Sequence, residues 1–230
     1  MFSVAPILSL DASSQATGIS PTGLAADGPA ALSAKLEKLR SISGVLPCPP
    51  PSREALSWEQ ADVSVPRGAL TEVSGPFGSG KTEAVVKFIA KHQGTLGRVA
   101  WIEDRFTAYP TGFLQHGVDL SRMLFIEGGA ESIWAAHQVL RSQVFGSVIL
   151  FVRESTLSAS EPRVELRRLQ LSAEQSNACV FLLTHQPRPQ GASWPLALQL
   201  QANANTRRLD VLKHGTTRAV LGSRAVSHVG

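Results

Sequence analysis

The stretch Ser74–Ala84, SGPFGSGKTEA, decides how the chain is read. Gly75, Gly80, Lys81 and Thr82 satisfy the spacing G-x-x-x-x-G-K-[ST] of a phosphate-binding loop. At average composition, chance alone produces that pattern in about one chain of this length in a hundred. "ALTEVSG", residues 69–75, reads as a strand ahead of it. "KTEAVVKFIAKHQG", residues 81–94, reads as a helix after it, with Gly94 the expected C-terminal cap. The glycines let the backbone turn so that successive N–H groups point inward, and the helix N-terminus adds positive potential. The stretch Gly75, Pro76, Phe77, Gly78, Ser79, Gly80, Lys81 and Thr82 is therefore expected to hold the phosphates of ATP or ADP, weakly. Lys81 would neutralise β and γ oxygens, and the Thr82 hydroxyl would hold Mg²⁺. The bland alternative is a loop that kept its shape and binds nothing.

Outward from the loop, strands alternate with helices. "RVAWIED" (98–104), "MLFIEGG" (123–129), "SVILFV" (147–152) and "ACVFLLTH" (178–185) read as strands. "PTGFLQHG" (110–117), "AESIWAAHQVLRSQVFG" (130–146) and "SEPRVELRRLQLSAEQSN" (160–177) read as helices. Continuous apolar strands of this kind belong to a mostly parallel sheet flanked by helices, an α/β fold. "TRRLDVLKHGTTRAVLG" (206–222) reads as a C-terminal β-hairpin joined at His214-Gly215.

Before the core, residues 1–29 are rich in Ala, Ser, Gly and Pro and are expected to be a flexible arm. Residues 30–44 carry Leu32, Leu36, Leu39 and Ile42 near helical spacing, an N-terminal amphipathic helix. Residues 45–59, with Pro49, Pro50 and Pro51, read as an extended connector. Residues 60–230 then hold the core and the hairpin.

The net charge of +4 permits an acidic partner or nucleic acid without demanding one. Arg207, Arg208 and Lys213 belong to a late basic excess that is either a solvated surface or a binding face. The two cysteines, Cys48 and Cys179, lack metal-ligand spacing, which fits a reducing cytosol. No apolar run approaches a membrane span, and "MFSVAPILSL" lacks the basic start of a signal peptide.

"GPFGSGKT", "WIEDRFTAYPTGFLQHGVDLSRMLF", "SVILFV" and "EQSNACVFLLTHQ" together resemble, in order and spacing, the ATPase core of the RecA recombinase family. The resemblance covers about residues 60–215. It implies a catalytic acid after the tryptophan strand, and that position falls on Arg105, with Asp104 one residue early and Glu103 two. It implies a metal-holding Asp at the end of "VILFVRES", where Val152 or Arg153 stands and Glu154 comes late. A polar sensor would be His185 or Gln186. The two DNA loops of the recombinases shrink here to "RESTLSAS" and "QPRPQGASWP", so DNA binding is expected to be weak and electrostatic.

"ALSAKLEKLR" resembles the helix that a recombinase packs on its filament neighbour, although it could equally fold back on its own chain. The combination of an intact loop, missing acids and short DNA loops resembles the ImuA family, accessory proteins of damage-inducible translesion synthesis related to SulA-type division inhibitors. That resemblance implies a cytoplasmic, nucleoid-associated protein whose partners are RecA and the translesion polymerase complex. The partner surfaces would be the Leu32, Leu36, Leu39 face and the basic residues Arg207, Arg208 and Lys213. An active RecA/RadA-type DNA-dependent ATPase and a SulA-type division inhibitor are the alternatives.

Overall fold

The computed structural model describes residues 55–152, 162–187 and 195–214, with the backbone of 7–9 and positions 34 and 38. Its strands are β1 (Ile7–Ser9), β2 (Leu56–Trp58), β3 (Val63–Val65), β4 (Ala69–Ser74), β5 (Arg98–Glu103), β6 (Met123–Glu127), β7 (Phe145–Phe151), β8 (Cys179–Thr184), β9 (Leu196–Ala202) and β10 (Leu209–His214). Its helices are α1 (Lys81–Leu96), α2 (Pro110–Gln115), α3 (Ser132–Arg141) and α4 (Pro162–Ser176).

Eight strands form one sheet in the order β1-β6-β5-β7-β8-β4-β9-β10. Every pairing is parallel except the last, where β9 and β10 run antiparallel. Every residue of β4 and of β8 is buried, as a strand covered on both faces requires. On one face, α1 packs with the small β2–β3 pair, and Trp58 sits 5.0 Å from Phe88 and 5.7 Å from Phe181 between ring centroids. On the other, α3 and α4 cover Leu70, Ala100, Val148, Leu150 and Val180. No helix among the described residues is long and apolar enough to cross a membrane.

The α/β architecture and the C-terminal hairpin are those expected from the sequence, but details differ. Leu209–His214 pairs with Leu196–Ala202, so a hairpin turns at residues 203–208, while the expected turn at His214-Gly215 runs outside the described residues. Leu196, Leu198, Leu200 and Ala202 are all buried, and this alternation carries β9 into the sheet beside β4. The expected second strand, 216–222, lies outside the described residues. Helix α1 runs past Gly94 to Leu96 and is closed by Gly97 at φ 70°.

Ile7–Ser9, in the expected arm, instead add a parallel edge strand to β6. Leu56–Trp58, in the expected connector, enter the core because Trp58 has aromatic neighbours to pack on. Of the N-terminal helix only Ala34 and Lys38 are described, both helical and exposed. Leu32, Leu36 and Leu39 lie outside the described residues.

The α3–α4 contact carries a pH dependence. His137 Nδ1 lies 3.1 Å from Ser172 Oγ. Burial, and secondarily the Arg168 and Arg141 charges against the opposing Glu165, hold its imidazole below the ordinary 6.5. The unfolded chain therefore binds this proton more readily, and stability falls as pH drops below about 6.5 until the folded-state value is passed. A urea midpoint at about pH 5.5 should be lower than at about pH 7.5, and His137→Gln should narrow the difference. An unchanged difference in that variant would remove His137 as its source.

Candidate functional site

Strand β4 enters the phosphate loop at the carboxyl edge of the sheet, where ligand crevices of open α/β sheets form. At that edge Ser74 is level with Thr184 of β8 and Gln201 of β9. Gly75 N–H donates to the Thr184 carbonyl at 3.1 Å. The chain then turns through Gly78 at φ 77° and Gly80 at φ 86°, left-handed conformations in which a side chain would be strained. Gly80 is the N-cap of α1.

Lys81 is buried and donates to the carbonyls of Gly75 and, at 2.8 Å, Thr184. Burial holds its ammonium below the ordinary 10.5. Both acceptors are neutral, so the negative charge of an incoming phosphate would oppose the effect of burial on it. Ser79 is 1% exposed, and its hydroxyl has no hydrogen-bond partner among the described residues. A buried donor of this kind is costly unless something fills its valence.

These groups open onto a cavity of about 560 Å³, a size suited to a nucleotide-scale ligand. Pro76 to Thr82 line it, and Gly75 stands behind, bound to Lys81. The other walls include Asp104, Arg105 and Tyr109 after β5, Phe151 and Val152 at the end of β7, and His185 and Arg207. Phe77 projects from the loop, 86% exposed, with its ring 4.4 Å from that of His185. Of the two sensor candidates, only His185 is a lining residue.

The acids after β5 are engaged elsewhere. Glu103 is 2% exposed and ties down the following loop. Its Oε1 accepts Trp101 Nε1–H at 2.7 Å. Its Oε2 accepts the N–H of Thr107, the Thr107 hydroxyl at 2.9 Å and the N–H of Ala108 at 3.2 Å. Asp104 Oδ1 accepts the Arg105 N–H at 2.6 Å. Arg105, at the position where the resemblance implies a catalytic acid, is exposed at the cavity wall. At the end of β7, Val152 is buried and donates its N–H to Leu183 O at 2.9 Å. Arg153 and Glu154 lie outside the described residues.

Thr82 is exposed on the cavity wall. No group of three or more His, Cys, Asp or Glu side chains able to hold a metal occurs among the described residues. The Thr82 hydroxyl is the group that the phosphate-loop pattern offers to a Mg²⁺, beside oxygens of the ligand itself.

The basic hairpin residues separate. Arg208 is exposed and Lys213 half-buried on β10, whereas Arg207 lines the phosphate cavity. The sequence alone places Arg207 with the partner surface and does not disclose the clamp at Glu103. The first is visible only once β9 is placed beside β4. The second had a faint signal, an acid two residues after a buried Trp on one strand, which puts both side chains on the same face.

No family model matches the chain. It is 32% identical over 104 residues to the RecA protein of Rubrobacter xylanophilus, covering 44% of this chain and 29% of that protein. It is 26% identical over 193 residues to the RecA protein of Clostridioides difficile, covering 70% and 53%. It is 26% identical over 186 residues to the mitochondrial DNA repair protein recA homolog of Dictyostelium discoideum, covering 67% and 39%. The chain thus spans between about a third and about half the length of these relatives. The parallel sheet, the phosphate loop at its carboxyl edge and this similarity together make it a distant RecA-like chain.

Proposed function

We propose that the chain binds ATP or ADP weakly, with Mg²⁺, turns it over slowly if at all, and works by protein–protein binding. Its setting would be DNA-damage tolerance at the nucleoid, where it would modulate RecA and the translesion polymerase complex as the ImuA resemblance implies. The observation that carries this reading is the mismatch inside one cavity. The phosphate loop keeps its glycines, Lys81 and Thr82, while the cavity walls carry Arg105, where the RecA resemblance implies an acid, and Val152, one of two positions where it implies another. A RecA-like core that can hold phosphate without running the hydrolytic cycle is suited to capping or altering a filament of its relatives.

The partner surfaces proposed are the Leu32, Leu36, Leu39 face and the hairpin residues Arg208 and Lys213. Truncating an apolar anchor at an interface typically costs a few kcal/mol. Pull-down of RecA by the wild-type chain is expected, with binding reduced about a hundredfold or more by Leu36→Asp with Leu39→Asp, or by Arg208→Glu with Lys213→Glu. Retention of RecA by both variants would move the interface elsewhere. Failure of the wild-type chain to bind RecA or the polymerase complex, with capture of the tubulin-like division protein instead, would favour the division-inhibitor reading.

A further inference from the structure

The turn between β9 and β10 brings a cation to the phosphate loop from within the same chain. It closes on itself. Arg207 N–H donates to Asn203 O at 2.8 Å, and the Asn203 side chain accepts the N–H groups of Asn205 at 3.0 Å and Thr206 at 3.2 Å. Arg207 adopts a left-handed backbone, φ 54°, a conformation uncommon for a residue with a side chain. The turn is also anchored to the strand that carries the loop. Gln199 Nε2 donates to Glu72 Oε2 at 2.7 Å, and Ser74 Oγ to Leu200 O at 3.0 Å. The distance from Arg207 to the loop is therefore set by the sheet.

The Arg207 guanidinium reaches the N-terminus of α1. Its Nη1 stands 3.5 Å from Glu83 Oε2, and its Cδ stands 3.7 Å from where a Cβ on Gly80 would be. Glu83 is shared, pairing also with Lys87 at 2.6 Å, and the Arg207 side chain is 68% exposed. A long, exposed, shared ion pair is loosely held. A polyphosphate at the loop would offer more charge and the paired oxygens that a guanidinium fork matches.

We infer that Arg207 is a phosphate-binding residue of the nucleotide site, acting in cis and leaving Glu83 for the bound polyphosphate. Loop N–H groups cradle the α- and β-phosphates, and the loop lysine serves the β/γ end. Arg207, beside Gly80 and Glu83, serves the α/β end. It therefore contributes to ADP and ATP alike, and it links occupancy of the loop to the hairpin. This inference rests on the nucleotide-binding reading above.

The test is calorimetric titration of the full chain with ADP and with ATP, each with Mg²⁺, for the wild type, Lys81→Ala, Arg207→Gln and Arg207→Lys. Arg207→Gln should weaken both nucleotides about tenfold, and Arg207→Lys should weaken them less. The melting temperature without ligand should not move, because the side chain is exposed. Glu83→Gln should tighten binding more in the wild-type background than with Arg207→Gln, as a coupled pair requires. If Lys81→Ala removes binding while Arg207→Gln leaves both affinities unchanged, the role of Arg207 is overturned and the nucleotide site stands. If the wild-type chain binds neither nucleotide at millimolar concentration, both readings fall.

Discussion

With saturating ATP and Mg²⁺, the purified chain should release phosphate no faster than its Lys81→Ala variant, with or without single-stranded DNA. Hydrolysis at a phosphate loop needs a group to orient or deprotonate the attacking water, a contribution of about 10²–10⁴-fold. It also needs a metal that neutralises the phosphoryl oxygens. The acid implied by the RecA resemblance falls on Arg105, a cation unable to accept that proton. Glu103 is no substitute, since its two oxygens are occupied by Trp101, Thr107 and Ala108. At the end of β7 the described position is Val152, which gives the metal shell no oxygen from its side chain. Turnover clearly above the Lys81→Ala background would mean that Asp104 or Glu154 acts after all, and it would promote the DNA-dependent ATPase reading.

Glu103→Ala should lower the midpoint of thermal unfolding by about 6–12 °C. The substitution leaves a buried indole N–H and two backbone N–H groups without their acceptor. Orphaned buried donors cost about 1–3 kcal/mol each, offset in part where water can reach the half-buried loop, so about 3 kcal/mol is a fair total. For a chain of this size each kcal/mol moves the midpoint by roughly 2–4 °C. Because the same carboxylate holds residues 104–108 against the cavity, nucleotide affinity should fall as well. Glu103→Gln keeps one carbonyl oxygen but turns an N–H₂ toward existing donors, so it should recover only part of the loss. A midpoint unchanged in the alanine variant would show that the Glu103 bonds are replaced by water at no cost.

Much of the architecture was legible in the sequence. The apolar runs of β5, β6 and β7, each followed by a helical pattern, and the apolar run of β8 specify strands buried on both faces. That condition is local, because a strand with no polar side to offer must be covered twice. The phosphate loop was equally legible, since its function lies in backbone geometry written by Gly75, Gly78 and Gly80 and by the helix that follows. Strand β9 was harder, although "LALQLQA" alternates as a strand should, because a proline-rich loop precedes it and a longer apparent hairpin follows.

What the chain alone could not reveal is which distant side chains share the cavity. Glu103 offers the same carboxylate whether it is free to take a proton or bound by four donors, and only the return of Thr107 and Ala108 toward β5 decides between these. Arg207 lies 126 positions after Lys81 in the chain and has no motif. It reaches the loop because β9 pairs with β4 and turns back at Asn203, a long-range pairing that side-chain burial and the sheet's register select together. Local pattern determined the elements and the loop. Tertiary packing decided which acids were occupied and which distant cation stands beside the loop, because charge and hydrogen-bond valence are settled by neighbours in space.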